Sequence, residues 1–224
     1  MTCSPMQCLR LLFVFVIGFH APWSMAAEPG RGATAALERG YLESIIDHHF
    51  GALRMTELAA GTVTTPTGDI TPNDGVRPTP GFEPTEPRAT MDEIKSLARR
   101  NNRMQREEIL AAQRFLRDWY GVTHEPQLPA QAQSDIARLS AESGEAFDRL
   151  FLEVFPVHHY VAAASSLDCL TGRELAHDDL RRYCQGIVEA QLGDIDEMRH
   201  LACRRFAICD VQPQLQAMNR RLRR

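Results

Sequence analysis

The sequence lacks the short motifs that mark the common enzyme classes. It contains no glycine-rich phosphate loop, no Gly-x-Ser-x-Gly and no His-Glu-x-x-His, which argues against nucleotide, serine-hydrolase and metalloprotease chemistry. No two cysteines are separated by two residues, so a zinc site or a thioredoxin-like redox centre has little support. The net charge of −4 at pH 7 gives no reason to expect nucleic acid as a partner. We therefore identify no catalytic residue and favour a non-enzymatic role.

Beyond its N-terminus the chain also lacks a hydrophobic run long enough to cross a membrane. Residues 11–17 form an apolar run behind Arg10, and Ser24 and Ala26 place small side chains at the −3 and −1 positions of a cleavage site. This pattern predicts a signal peptide over residues 1–26 and a periplasmic or secreted mature protein without a stable membrane span. An uncleaved anchor is the alternative, but the apolar run is well short of the ~20 residues that a spanning helix needs.

A His-His pair occurs twice, at matched places in two similar segments. Residues 41–55 read YLESIIDHHFGALRM, and residues 151–165 read FLEVFPVHHYVAAAS. A second echo lies downstream, where a Gln-x-x-Glu-Ile string beginning at Gln105 is matched by a Gln-x-x-Asp-Ile string beginning at Gln191. We interpret the chain as a degenerate tandem repeat.

The first repeat carries an insertion rich in proline, glycine and threonine. It covers residues 61–89, has no apolar period and is predicted to be a long loop, which in a compact domain is either functional or mobile. The predicted organisation is one domain over 35–209, with repeat one over 38–120 and repeat two over 145–209. A basic C-terminal tail follows over 210–224.

Apolar residues outside this loop recur with the 3.6-residue period of an α-helix. The pattern predicts helices near 35–60, 90–119, 145–171 and 177–205, with glycines and prolines in the gaps. Pro156 falls inside the third helix and should kink it. Four long helices, paired by the repeat, are typical of an all-α four-helix bundle built from two helix hairpins.

The paired histidines His48, His49, His158 and His159 are the best candidates for chemistry, because packing alone rarely requires imidazole twice at matched places. Neutral imidazole binds copper, zinc, nickel and iron, and thioether sulfur selects Cu(I). Adjacent helical residues point about 100° apart, so one histidine of each pair can face the bundle axis while the other faces a neighbouring helix. Because only neutral imidazole coordinates, metal binding should weaken as the pH falls toward about 5–6.

Three strings carry a resemblance to a known family. They are His-His-x-Gly-Ala-x-x-Met from His48, Gln-x-x-Asp-Ile-x-x-Met from Gln191, and Leu-x-x-Tyr-Cys-x-x-Ile-Val-x-x-Gln from Leu180. The combination resembles the exported bacterial family catalogued as domain of unknown function 305, over both repeats. The resemblance implies a ferritin-like four-helix bundle and, for some members, periplasmic copper binding through histidine and methionine. It therefore adds Met55 and Met198 as candidate soft ligands and copper as the expected cofactor.

The chain departs from the family pattern at two thioether positions. Ser165 stands in the second repeat where Met55 stands in the first, and Ala112 stands in the first repeat where Met198 stands in the second. Each repeat has therefore kept one thioether and lost the other, which leaves fewer soft ligands for Cu(I).

Two functions remain open. The first is an exported metal-binding protein with copper as the expected metal and a sequestering or metal-handling role. The second is a structural or interaction bundle whose paired histidines are buried hydrogen-bonding residues and whose 61–89 loop contacts a partner. In both, Gln105 and Gln191 are interpreted as hydrogen-bonding residues between helices. A di-iron site is not predicted, because the Glu-x-x-His strings ending at His177 and His200 would lie about 35 Å apart on one helix.

The cysteines of the mature protein are expected to form disulfides in an exported chain, and they are Cys169, Cys184, Cys203 and Cys209. Cys184 and Cys203 would lie about 28 Å apart on one helix, far beyond the ~7 Å Cα separation that a bridge allows. Cys169 and Cys184 share one end of the expected bundle, and Cys203 and Cys209 share the other. The predicted disulfides are therefore Cys169–Cys184 and Cys203–Cys209.

Overall fold

A computed structural model describes residues 33–63, 70–71, 77–172 and 174–209, and these contain five α-helices and no strand. The helices are α1 (Ala33–Ala60), α2 (Asp92–Tyr120), α3 (Ala130–Ser140), α4 (Gly144–Thr171) and α5 (Asp178–Phe206). The predicted all-α class is confirmed, and α1, α2, α4 and α5 match the four predicted helices within a few residues. The predicted signal peptide over 1–26, the tail over 210–224 and parts of the 61–89 loop lie outside the described residues.

The short helix α3 was not predicted. It follows Pro129 directly, and Ala132 and Leu139 bury a narrow face of it. Proline pre-sets the backbone angle of a helix start, whereas the sequence interpretation treated the prolines here only as helix breakers. A helix of 11 residues also offers too few turns for a clear apolar period.

The helices form two hairpins that pack against each other through α1 and α4. Helix α1 runs along α2, α4 runs along α5, and α3 lies against α1 and α4. Ion pairs join α2 to α5 at the surface, from Arg100 to Glu197 at 2.5 Å and from Arg205 to Glu93 at 2.5 Å. Two apolar clusters fill the interior, and the aromatic residues Phe147, Phe151 and Phe155 of α4 belong to one of them.

Both predicted disulfides are present in the structure. Cys169–Cys184 joins the end of α4 to the start of α5, with a Cα separation of 6.5 Å. Cys203–Cys209 closes the end of α5, with a Cα separation of 4.2 Å. Both disulfides lie in the second hairpin. Helix α4 does not end at Pro156, which lies inside it.

The described C-terminal part of the 61–89 loop is fastened to the α1–α2 hairpin by a buried ionic network. The Glu57 carboxylate accepts hydrogen bonds from the Thr79 amide at 2.6 Å and from the Thr79 hydroxyl at 2.5 Å. Arg106, which is fully buried, donates to the Arg77 carbonyl at 2.8 Å and reaches Glu57 at 3.4 Å. Burial raises the pKa of Glu57, while the hydrogen bonds from Thr79 and the charge of Arg106 oppose that rise.

Candidate metal centre

His48 of α1 and His158 of α4 meet where the two hairpins pack together. Their rings stack with centroids 3.8 Å apart and planes inclined by 10°. The Nε2 of His48 donates a hydrogen bond to the backbone carbonyl of His158 at 3.1 Å, which leaves Nδ1 as the lone-pair nitrogen of the neutral ring. The Nε2 of His158 is buried and makes no hydrogen bond. The first histidine of each sequence pair thus joins one hairpin to the other.

Both of these imidazoles are held in the neutral form. Loss of hydration lowers the pKa of His48 to about 3, and the neighbouring His49 adds to the shift. Loss of hydration also lowers the pKa of His158 well below its usual range, with His48 the next contributor. The expectation that protonation weakens metal binding near pH 5–6 therefore moves to a lower pH for these two residues.

The second histidine of each pair faces a carboxylate within its own hairpin. His49 of α1 places Nε2 3.0 Å from Oε2 of Glu108 on α2. Neither atom has hydrogen-bonding geometry, so two buried polar atoms face each other without a hydrogen bond. In the second hairpin, Nε2 of His159 on α4 lies 3.6 Å from Oδ2 of Asp194 on α5.

His159 differs from His49 because oxygen atoms already surround its ring. Its Nε2 lies 2.8 Å from Oδ1 of Asn101, and its Nδ1 lies 3.0 Å from the Phe155 carbonyl. The Asn101 amide nitrogen donates to the Leu97 carbonyl at 3.2 Å, which fixes the direction in which its oxygen points. His159 therefore acts as a buried hydrogen-bonding residue in this arrangement.

Sequence reasoning missed the partners Glu108, Asp194 and Asn101. A signal for the two acids was present, because the Gln-x-x-Glu and Gln-x-x-Asp strings place them at matched positions of the repeats. The interpretation of Gln191 as a hydrogen-bonding residue is wrong, since its buried side-chain nitrogen and oxygen make no hydrogen bond. Gln105 makes only a long contact of 3.5 Å to Asn101.

The candidate soft ligands lie in the apolar interior. Met55 and Met198 are fully buried in the same apolar cluster as Phe155. The Phe155 ring in turn packs on His159, with centroids 4.4 Å apart. Across the described part of the chain, no three His, Cys, Asp or Glu side chains converge closely enough to form a ready-made metal site. A metal here needs thioether, water or external donors in addition to imidazole.

A cleft of about 810 Å³ opens beside the stacked histidines, between α1, α3 and α4. We call it the α1–α3–α4 cleft, and His48 and His158 form part of its wall. Helix α3 forms the opposite wall and approaches α1 closely at Gly51, where an added Cβ would lie 2.6 Å from the Cβ of Ala132. Only glycine permits this approach of the two helices.

The family model named domain of unknown function (DUF305) matches residues 83–202, more than half of the chain. This chain belongs to the DUF305 family. The matched region includes the second histidine pair and begins after the first. Among curated proteins, none matches the chain.

Solved structures with the same fold include copper-bound proteins. The protein described as "CopM in the Cu(I)-bound form" is 19% identical, with a TM-score of 0.56 over 75% of this chain and 97% of that one. "CopM in the Cu(II)-bound form" is 20% identical, with a TM-score of 0.56 over 73% of this chain and 94% of that one. A DUF305 fragment from Deinococcus radiodurans is 23% identical, with a TM-score of 0.55 over 79% of this chain and 99% of that one. At these identities the likeness shows the fold. Among the described helices, none is long and apolar enough to cross a membrane.

Proposed function

We propose that this protein is an exported copper-binding protein that sequesters or hands on the metal. In this proposal the two hairpins form a ferritin-like four-helix bundle, and residues 1–26 are a signal peptide that directs the chain to the periplasm or the exterior. Two disulfides are in keeping with an oxidising compartment. The copper-bound and silver-bound forms of CopM, which share the fold, support copper as the metal.

The observation that carries the proposal is the stacked pair of His48 and His158. The two imidazoles meet at the contact between the hairpins and border an open cleft, and the Nε2 of His158 makes no hydrogen bond. Because imidazole lone pairs lie in the ring plane, one of the stacked rings would turn for both to bind a single ion. Imidazole nitrogen suits copper in either oxidation state. The lowered pKa of each ring removes the competition from protons that metal binding otherwise meets near neutral pH.

The remaining candidate ligands would complete the coordination. His49 has two ring nitrogens without hydrogen bonds, and the thioethers of Met55 and Met198 supply the soft donors that Cu(I) prefers. His159 would have to exchange its hydrogen bond with Asn101 for a metal bond. We therefore rank His48, His158 and His49 ahead of His159 as ligands.

A structural role for the paired histidines is the second candidate, and one observation favours it. His159 links α4 to Asn101 of α2 by a hydrogen bond of 2.8 Å between buried groups. Such a bond across the hairpins stabilises the packing without any metal. On this interpretation the loss of His159 should destabilise the fold in the absence of copper.

The deciding experiment is a Cu(I) titration in competition with a chromophoric chelator. The His48→Ala/His158→Ala variant should bind Cu(I) at least about 10-fold more weakly than the wild type, since one lost ligand contact is worth 1.4 kcal/mol or more. The control is His200→Ala, which removes an exposed imidazole of α5. Equal affinity of the double variant and the wild type would remove the stacked pair from the site. Far-UV circular dichroism should show that each variant is folded.

A further inference from the structure

The walls of the α1–α3–α4 cleft carry more negative than positive charge. Asp47, Asp135 and Glu153 line it, against the single lining cation Arg138, which pairs with Asp135 at 3.3 Å. Arg149, beside the cleft on α4, pairs with Glu153 at 3.3 Å, so the carboxylates still outnumber the cations. A concave surface of one charge sign raises the local concentration of ions of the opposite sign.

One residue of the cleft wall has an unused ring nitrogen. His158 is 8% exposed, lines the cleft, and has a buried Nε2 without a hydrogen-bond partner. Burying a polar atom without a hydrogen-bond partner destabilises a protein. Such an atom in a residue of an open cleft therefore points to a ligand that binds it. This observation is independent of the acidic residues, which alone would indicate only a solvated surface.

The inner histidines are closed to solvent. His49 and His159 both have 0% of their surface exposed, and Phe155 packs on the second of them. Half-buried His48 and cleft-lining His158 are therefore the first imidazoles that an ion from solution meets.

We propose that the α1–α3–α4 cleft is the route by which copper enters and leaves the protein. The carboxylates of Asp135 and Glu153 on the cleft wall attract the hydrated cation, and the ion then exchanges water for Nε2 of His158. No electron is transferred in this step. The inference rests on the proposed copper binding at His48 and His158 and adds the path that serves it.

A charge-removing variant tests the route. For Asp135→Asn/Glu153→Gln we expect stopped-flow binding of Cu(II), and release of bound Cu(II) to a chelator, to slow together by about 3- to 10-fold at low salt. The equilibrium Kd should change less than about twofold, because carboxylates on the path stabilise the passage rather than the final site. At about 1 M salt the difference should shrink, since charges are then screened within ~3 Å. The matched control is Glu189→Gln/Asp196→Asn on α5, outside the cleft.

A plugged cleft gives an independent test. Val161→Trp places an indole on the cleft wall, and Leu167→Trp places one at a similarly exposed site of α4 outside it. Only the former should slow loading and release. If wild-type protein binds no copper, the proposed function fails and the route with it. If it binds copper and both cleft variants load at the wild-type rate, the route is wrong while the proposed function stands.

Discussion

The close contact between α1 and α3 at Gly51 allows the effect of Gly51→Ala on the free energy of unfolding to be predicted. A Cβ added at this position would lie 2.6 Å from the Cβ of Ala132, whereas ordinary contacts of this kind are 3.4–4 Å. Helix α3 would have to move away from α1 by roughly 1 Å to accept the methyl group of Gly51→Ala. Because interiors are close-packed, such overpacking costs about 1–3 kcal/mol.

The same substitution also has a stabilising effect, because it raises the helix propensity of α1. Alanine is favoured over glycine inside a helix by about 0.8–1.0 kcal/mol, and Gly51 lies well inside α1. We therefore expect Gly51→Ala alone to range from neutral to about 2 kcal/mol destabilising. In an Ala132→Gly background the clash is gone, and the same change should stabilise the protein by about 0.5–1 kcal/mol.

Urea unfolding of the four proteins in this double-mutant cycle measures the coupling directly. The expected coupling between positions 51 and 132 is about 1–3 kcal/mol, since the two methyl groups exclude each other. If Gly51→Ala stabilises the protein by about 1 kcal/mol in both backgrounds, the close approach of α3 to α1 is wrong. The added Cβ would also lie 3.9 Å from Cε1 of His158, so a displaced α3 should alter copper loading through the cleft.

Three further perturbations have clear expected outcomes. Arg106→Met leaves the Glu57 carboxylate with Arg54 as its one remaining cation, at 3.3 Å, and should cost about 3 kcal/mol in urea unfolding, whereas adding Glu57→Gln should recover part of that loss. Removing Cys169–Cys184, which spans a sequence separation of 15, should cost about 3 kcal/mol, and equal thermal stability with and without it would contradict that estimate. His48 has a folded-state pKa of about 3, below its unfolded value, so the unfolded chain takes up its proton first as pH falls. Metal-free protein should therefore keep this contribution above pH ~6.5 and lose up to about 1.4 kcal/mol per pH unit from His48 below it, and His158 should add to the loss in the same direction. His48→Phe should reduce the slope.

Much of the fold could be predicted from the sequence because its signals are local and long. Helices α1, α2, α4 and α5 each run for 28 or 29 residues, so the apolar period repeats many times. The disulfide pairing followed from helix length, because a continuous α5 separates Cys184 from Cys203, and from which cysteines share an end of the bundle. Helix α3 could not be predicted because it is short and because its packing depends on Gly51, a residue of another helix.

Less of the candidate site could be predicted, because its contacts depend on how helices rotate against one another. The sequence indicated that the four paired histidines could contribute to one site, but not that His48 meets His158, that their rings stack or that one donates to the backbone of the other. Helix α3 forms part of the cleft and has no counterpart in either repeat. The repeat pattern therefore could not predict the cleft. Asn101 likewise has no matched residue that would have marked it.

The two histidines of each pair divide two tasks that one side chain could not perform. Neighbouring residues of a helix point about 100° apart, so a His-His pair addresses two directions at once. The second histidine of each pair turns toward a carboxylate of its own hairpin, which gives His49 with Glu108 and His159 with Asp194. The first turns toward the other hairpin, and there His48 meets His158. Repetition of the pair thus places two imidazoles face to face where α1 of one hairpin packs against α4 of the other.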